Sequence, residues 1–248
     1  RAADEPSRRR VSRDPVTADG PLVIAIDGPA ASGKTTVARA TARRLGVLYL
    51  DTGAMYRALA HLALHTGTDV DNGAALARLA QASPIEVRIE ESAPLGFRVT
   101  AGGEELDERA LASSEVTAIV SAVAAHAAVR SEMVRTQRRI AQDAPVVMAG
   151  RDIGTVVLPD APVKVYLTAS LAARIARRRL QLEQGGVAVD VRRLAKDLEE
   201  RDRLDRTRAI SPLVAAKDAY VIDSSEIDAQ HVVDEICAIV AKLSPASS

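Results

Sequence analysis

Residues Gly28 to Thr35, GPAASGKT, place two glycines and a Lys-Thr pair at the spacing G-x-x-x-x-G-K-[ST]. Glycines let a chain turn successive N–H groups inward as an anion nest, and a helix that begins at the loop adds its positive N-terminal end. Lys34 then reaches the β- and γ-phosphates of a nucleoside triphosphate, and the Thr35 hydroxyl can ligate Mg²⁺. The flanks fit this chemistry, because LVIAI (22–26) precedes the loop as a strand and a helical pattern follows it to Leu45. Gly28, Pro29, Ala30, Ala31, Ser32, Gly33, Lys34, Thr35 and Thr36 are therefore expected around a triphosphate.

A bound triphosphate can switch, drive motion or donate a phosphoryl group. A switch GTPase would need a guanine-reading N-K-x-D, and the nearest string, AAKD (215–218), lacks the Asn. A small-molecule kinase needs a second anion site, since donor and acceptor phosphates are both negative, and so needs arginines from several segments. DTGAMYR (51–57) starts at the end of the second apolar run, and GRDIGT (150–155) follows the third. Both fall where open α/β sheets bind ligands. In EERDRLDRTR (199–208), Arg201, Asp205 and Arg208 stand at i, i+4 and i+7 and are expected on one helical face.

The elements that must position these residues follow from periodicity. LVIAI (22–26), VLYL (47–50), VVMA (146–149), VKVYL (163–167) and AYVI (219–222) are near-continuous apolar runs, the pattern of strands buried on both faces. Longer helical stretches separate them, so the core is expected to be a parallel α/β sheet with right-handed crossovers. Val232, Val233, Ile236, Ile239, Val240 and Leu243 mark a final amphipathic helix. Two insertions interrupt the plan. Residues 84–106 alternate apolar and polar side chains around ESAPLG and predict a small antiparallel sheet with one wet face. Residues 174–208, dense in Arg, Asp and Glu around Gly185-Gly186, predict a lid whose Arg174, Arg177 and Arg178 close over the site and exclude water.

Composition narrows the function classes. Hydrophobic residues are 47% and charged residues 27% of 248, enough for a sizeable core, and no run of about 18 uncharged apolar residues predicts a membrane span. The formal net charge of +0 gives no global field for nucleic acid or an anionic membrane, so phosphate specificity must be local. The single cysteine, Cys237, rules out an internal disulfide, fits a reducing, cytoplasmic compartment, and reads as a small apolar residue on a core-facing helix. His61 and His65 are four apart but lack a metal-site spacing with other His or Cys, so they read as packed or solvated side chains. Residues 1–20 combine charge, Pro and Ser without an apolar segment and read as a disordered, solvated leader.

The strings IDGPAASGKTT, LDTGAMYR, GRDIGTVVLPDAPVKVYL, RDRLDRTRAISPL and YVIDSS, in this order, resemble the bacterial cytidylate kinases of the nucleoside monophosphate kinase family over about residues 22–243. The resemblance implies an α/β, P-loop NTPase-type five-stranded parallel sheet flanked by helices, with a small antiparallel β insertion and a helical lid. It divides the chain into the leader (1–20), core segments (21–83, 145–173 and 209–248), a monophosphate-binding region (84–144) and the lid (174–208). It implies γ-phosphoryl transfer from ATP, with Mg²⁺, to CMP or dCMP by a cytoplasmic monomer with no nucleic-acid or membrane partner. Arg57, Arg151 and Arg208 would hold the CMP phosphate, Arg201 would approach the transferring group, and Asp205 would bind the ribose. Ser121, Arg130 and Asp152 would read cytosine, with Thr52 and Tyr56 completing the CMP site and Arg177 and Arg178 on the ATP side. Lys34, Arg201, Arg151 and Arg208 would be the catalytic cations, and Asp51 a candidate in the metal shell.

Cytosine offers an amino donor at N4 that a carboxylate such as Asp152 can accept, whereas uracil presents an oxygen there and is rejected. Two departures from the family pattern stand out. Ala149 replaces a usual acidic residue before GRD, and Ala31 replaces a frequent glycine, a change tolerated if its φ is negative. A P-loop kinase for another acceptor, such as a uridylate/cytidylate or shikimate-type kinase, and a nucleotide-dependent regulatory module are the alternatives.

Overall fold

A computed structural model describes residues 16–17, 20–90, 93 and 96–243. Two short strands, β1 (Val16–Thr17) and β2 (Gly20–Pro21), pair antiparallel, so the end of the segment read as a disordered leader is paired. Residues 1–15 and 18–19 of that leader lie outside the described residues.

The core strands are β3 (Val23–Asp27), β4 (Leu48–Asp51), β8 (Val146–Gly150), β9 (Val163–Thr168) and β10 (Tyr220–Asp223). They form one sheet in the order β10-β9-β3-β8-β4, with every pairing parallel. All five residues of β3 and of β8 are buried, which is why their sequences are apolar without alternation. After β3 the chain lays β4 and β8 on one side and β9 and β10 on the other. The direction therefore reverses at the C-terminal end of β3, the position at which such sheets bind ligands. β10 departs from the expected two-sided burial: it is the edge strand, Tyr220 and Val221 are exposed, and only Ile222 enters the core.

Helix α1 (Lys34–Leu45) leaves the loop after β3 and packs against β8, β4 and the last helix, α9 (Ala229–Leu243). Helix α2 (Thr52–Thr66) starts where β4 ends, capped by the Asp51 carboxylate, which accepts from Gly53 N at 2.9 Å. It is followed by α3 (Gly73–Ala82) and by the expected antiparallel insertion, β5 (Ile85–Ile89), β6 (Phe97–Ala101) and β7 (Glu104–Leu106). Along β6, Phe97, Val99 and Ala101 alternate into the core, and the Phe97 ring lies 5.8 Å from that of Tyr49.

Helices α4 (Glu108–Ala112), α5 (Ser114–Ala125) and α6 (Ala127–Asp143) complete this part. Within VSAVAAHAAVR (120–130) the chain breaks between α5 and α6 at His126, whose backbone is extended. The His126 ring fills the space beside Gly73 and meets the Val70 carbonyl at 2.8 Å, which holds the break in place. Among the described residues no helix is long and apolar enough to cross a membrane.

The lid is a helix pair, α7 (Leu171–Gln184) and α8 (Val191–Thr207), joined through Gly185-Gly186. Leu194 and Leu198 of α8 pack on Ala30 of the P-loop in a small apolar cluster separate from the main core. Arg174, expected among the closing arginines, is instead buried beneath the lid. Its guanidinium pairs with Asp202 at 2.6 Å and donates to the carbonyls of Ala30 and Ala169, both at 3.2 Å. It joins both lid helices to the P-loop.

Asp202→Ala leaves that guanidinium buried without its counter-charge, a loss on the order of 3 kcal/mol. Amide hydrogen exchange should rise across 171–184 and 191–207 while β3 and β8 stay protected; equal protection in both proteins would remove Arg174 as the anchor.

Candidate active site

The P-loop is shaped by close backbone approach. A Cβ at Gly28 would lie 2.0 Å from the Leu167 carbonyl oxygen, so only glycine lets the end of β3 pass β9. Ala31 has φ of 58°, in the left-handed region, so the condition of a negative φ under which an alanine is tolerated there is not met. The reason is the nest itself: the chain must reverse curvature to turn its amides inward, and Ala31 stands at the reversal. Gly33, with φ of 94°, then caps α1. Lys34 is buried and folded over the loop it closes, donating to Pro29 O at 2.6 Å with Ser32 Oγ at 3.4 Å. Burial, with Arg151 adding to it, pushes its ammonium well below the usual lysine range.

In front of the loop lies a cavity of about 680 Å³. All the site residues expected from the sequence line it except Gly28 and Pro29, which sit behind the loop and shape it. Thr35 and Thr36 are exposed at its mouth. At one end four arginines converge from four elements: Arg57 on α2, Arg151 after β8, Arg178 on α7 and Arg201 on α8. The Arg201 guanidinium is pushed down to about 10, first by burial and then by Arg151 and Arg57, and its Nε is buried without a hydrogen-bond partner. Arg178 is lowered by burial and by Arg57. Carboxylates offset this only in part. Asp51 lies 3.8 Å from Arg57, and Asp205 accepts from Arg151 Nε at 2.7 Å. Burial alone would raise the Asp205 carboxyl, but Arg151, Arg201 and Arg208 hold it below its ordinary value. The arrangement is an anion site with more positive than negative charge.

Tyr56, Ser121, Arg130 and Asp152 gather in the same cavity. Tyr56 carries the Arg130 guanidinium 5.5 Å from its ring centroid, and Arg130 forms a buried ion pair with Asp152. Ser121 of α5 faces the same space. The second Asp152 oxygen lies 3.7 Å from Arg208 Nη2. Arg208 does not continue the α8 face as the i+7 spacing predicts: its ψ of 138° ends the helix, and its Nε donates to the Ser211 carbonyl. The bend places its guanidinium beside Asp152 and in the field of Arg130 and Asp205, while Arg201 and Asp205 stay on α8. Thr52 Oγ1 donates to the Ala149 carbonyl at 3.0 Å and pins α2 to β8. Arg177 is bound to protein, donating to Ser32 O at 3.3 Å and to Ser224 Oγ at 3.0 Å, so it fixes the loop from behind.

Two polar residues of this region are not evident from motif spacing. Asp27, the last residue of β3, is buried and accepts two backbone amides from the GRDIGT turn. Its signal in the sequence is a lone carboxylate ending an apolar strand. Ser224 joins the loop to β9, its hydroxyl lying 3.2 Å from Ser32 O and 3.0 Å from Thr168 O. Other candidates drop away. Cys237 is half-buried on α9 with its thiol pushed up by burial, Asp218 pairs with Lys164 at 2.6 Å, and the His61 and His65 rings stack at 4.0 Å. No group of three metal-ligating side chains occurs among the described residues.

Ala31→Gly relieves the left-handed strain and should stabilise the fold by about 1 kcal/mol, read as a higher midpoint of thermal unfolding. An unchanged or lower midpoint would mean that the loop carries no strain at this residue.

The family model for cytidylate kinase matches residues 24–242. The cytidylate kinase of Pelotomaculum thermopropionicum (strain DSM 13744 / JCM 10971 / SI) is 47% identical over 218 residues, which is 88% of this chain and 95% of that protein. A bifunctional pantoate ligase/cytidylate kinase of Synechococcus sp. (strain JA-2-3B'a(2-13)) is 47% identical over 221 residues, and there the match spans only 41% of the relative. The solved structure of an uncharacterized protein from Eubacterium ventriosum ATCC 27560 superposes with a TM-score of 0.50 at 13% identity, covering 89% of this chain and 98% of that one, a likeness of fold. With its P-loop, its converging arginines and this match over most of its length, the chain belongs to the cytidylate kinase family.

Proposed function

We propose that this protein transfers the γ-phosphoryl group of MgATP directly to the phosphate of CMP or dCMP. The observation that carries the reading is the half-buried, under-neutralised cluster of Arg57, Arg151, Arg178 and Arg201 lining one cavity with Lys34, with Tyr56, Arg130 and Asp152 gathered in the same cavity. A phosphate pair spanning that cluster supplies the missing negative charge.

The acceptor is already an anionic oxygen at neutral pH, so no strong general base is required. An oxygen of the CMP phosphate attacks the γ-phosphorus as the bond to the β,γ-bridging oxygen breaks, and ADP leaves with that electron pair. The protein's part is to align the two ends and cancel charge as it spreads over the transferring group. Lys34 and Arg201 stand on opposite sides of that group, Arg57, Arg151 and Arg208 hold the acceptor phosphate, and Arg178 lies toward ATP. Asp205, kept ionised by its arginines, is placed to bind the ribose.

Thr35 fits a Mg²⁺ shell: its hydroxyl is exposed at the loop mouth, and Mg²⁺ commonly takes one or two protein oxygens while phosphates and water supply the rest. Asp51 is the second candidate, since Ala149, its partner across β4 and β8, brings no carboxylate to this edge. When bound, the metal neutralises charge on the triphosphate. The reading includes a cytoplasmic monomer, as the family resemblance implies.

With MgATP present, ADP formation should be stimulated by CMP and dCMP and not by UMP, AMP, GMP or shikimate, with a slow rate when no acceptor is added. Stimulation by another acceptor would keep the kinase and discard the cytosine pocket; no stimulation by any would leave the regulatory module. Arg201→Met or Lys34→Met should lower kcat by about 10²–10³, on the scale of a lost electrostatic contact to the transition state. A loss confined to KM would place the residue in ground-state binding alone.

A further inference from the structure

The turn that carries the acceptor-binding residues has an unusual cap. Asp152 stands at the N-cap position of the helical turn Ile153–Val157, with its carbonyl accepting from Val156 N at 2.9 Å and from Val157 N at 3.1 Å. An aspartate in this position ordinarily turns its side chain onto the free amides of its own helix. The Asp152 side chain makes no such bond. Those amides are taken by a residue 126 positions earlier in the chain: Asp27 Oδ1 accepts from Ile153 N and Oδ2 from Gly154 N, both at 2.7 Å.

We propose that Asp27 is a positioning residue for base recognition, a surrogate cap that occupies the Ile153 and Gly154 amides so that the Asp152 carboxylate is left facing Arg130 and the acceptor base. This rests on the reading of Asp152 as the residue that reads cytosine. Three further features support it. Asp27 is buried and ends β3, directly before Gly28, and is in register with Gly150 on β8, so its carboxylate is fixed relative to the turn. The two carboxylates repel each other: burial first, and then Asp152, raise the Asp27 carboxyl to about 6 against the opposing pull of the two amides and of Lys34. Repulsion of the same sign keeps Asp152 turned outward. Finally, the turn lies directly against the clasp, since a Cβ at Gly154 would stand in ordinary contact with Asp27 Oδ2 at 3.4 Å.

The test is the ratio of kcat/KM for CMP to that for UMP. Asp27→Asn keeps one acceptor and turns an amide donor toward the second N–H, which frees that amide for Asp152. The ratio should fall tenfold or more, with the KM for CMP raised and the KM for ATP within about threefold of the parent enzyme. Asp27→Glu, which retains a carboxylate but displaces it from the two amides, should lower the ratio in the same direction by less, and it carries the test if Asp27→Asn does not fold. An unchanged ratio in a folded variant, or equal rises in KM for ATP and CMP, would overturn the inference while leaving Asp152 as the reader. A parent enzyme with no preference for CMP over UMP would overturn both.

Discussion

Like-charge repulsion is the constraint on which this structure turns. Lys34 and four arginines are drawn into one cavity at the C-terminal edge of a parallel sheet, and burial and mutual repulsion depress Lys34, Arg178 and Arg201 together. Such a cluster persists only when each cation is held by an element that is stable for other reasons. The sheet supplies that stability through fully buried strands β3 and β8 for Lys34, Arg57 and Arg151, which stand at strand ends or on helices packed against it. Arg178 and Arg201 instead stand on α7 and α8, which pack on each other and on the P-loop. Burying one aliphatic side chain is worth roughly 1.5–3 kcal/mol, so a few core residues offset the repulsion of the cluster.

The buried ion pairs act as spacers within this field. Arg174 with Asp202 joins α7 to α8, Arg151 with Asp205 joins the turn after β8 to α8, and Arg130 with Asp152 joins α6 to that turn. Each pair neutralises itself and leaves its neighbours' charge unspent. The Nε of Arg201 and Nη2 of Arg208, by contrast, are buried without a hydrogen-bond partner.

Much of this was legible in the sequence, for identifiable reasons. The P-loop and the five apolar runs could be read because backbone chemistry and two-sided burial leave strong local patterns. Two arginine segments could be read as a site because they follow strand ends, and the third because its charged residues recur at helical spacing. Three features depended on long-range geometry instead. The φ of Ala31 follows from the curvature of the nest and not from its side chain. Arg208 leaves the helix because the chain must bend back toward the Ser211 carbonyl, which an i, i+7 spacing does not register. Arg174 looks like its neighbours in an Arg-rich helix, and only its contact with Asp202, 28 positions away, marks it as structural. The Asp27 clasp is of the same kind, a local capping rule satisfied from a distant strand.

The exposed edge at β10 carries a different consequence. A strand at the end of a sheet offers a row of unpaired backbone groups to any other extended chain, and Tyr220 and Val221 make this one apolar as well. β10 is only four residues long, ends on the exposed carboxylate of Asp223 and is preceded by that of Asp218. A second chain docking there would gain few ladder bonds and would have to desolvate charge at both ends. Brevity and flanking charge thus act as gatekeepers against edge-to-edge aggregation, so the strand that closes the nucleotide-binding sheet also protects it from self-association.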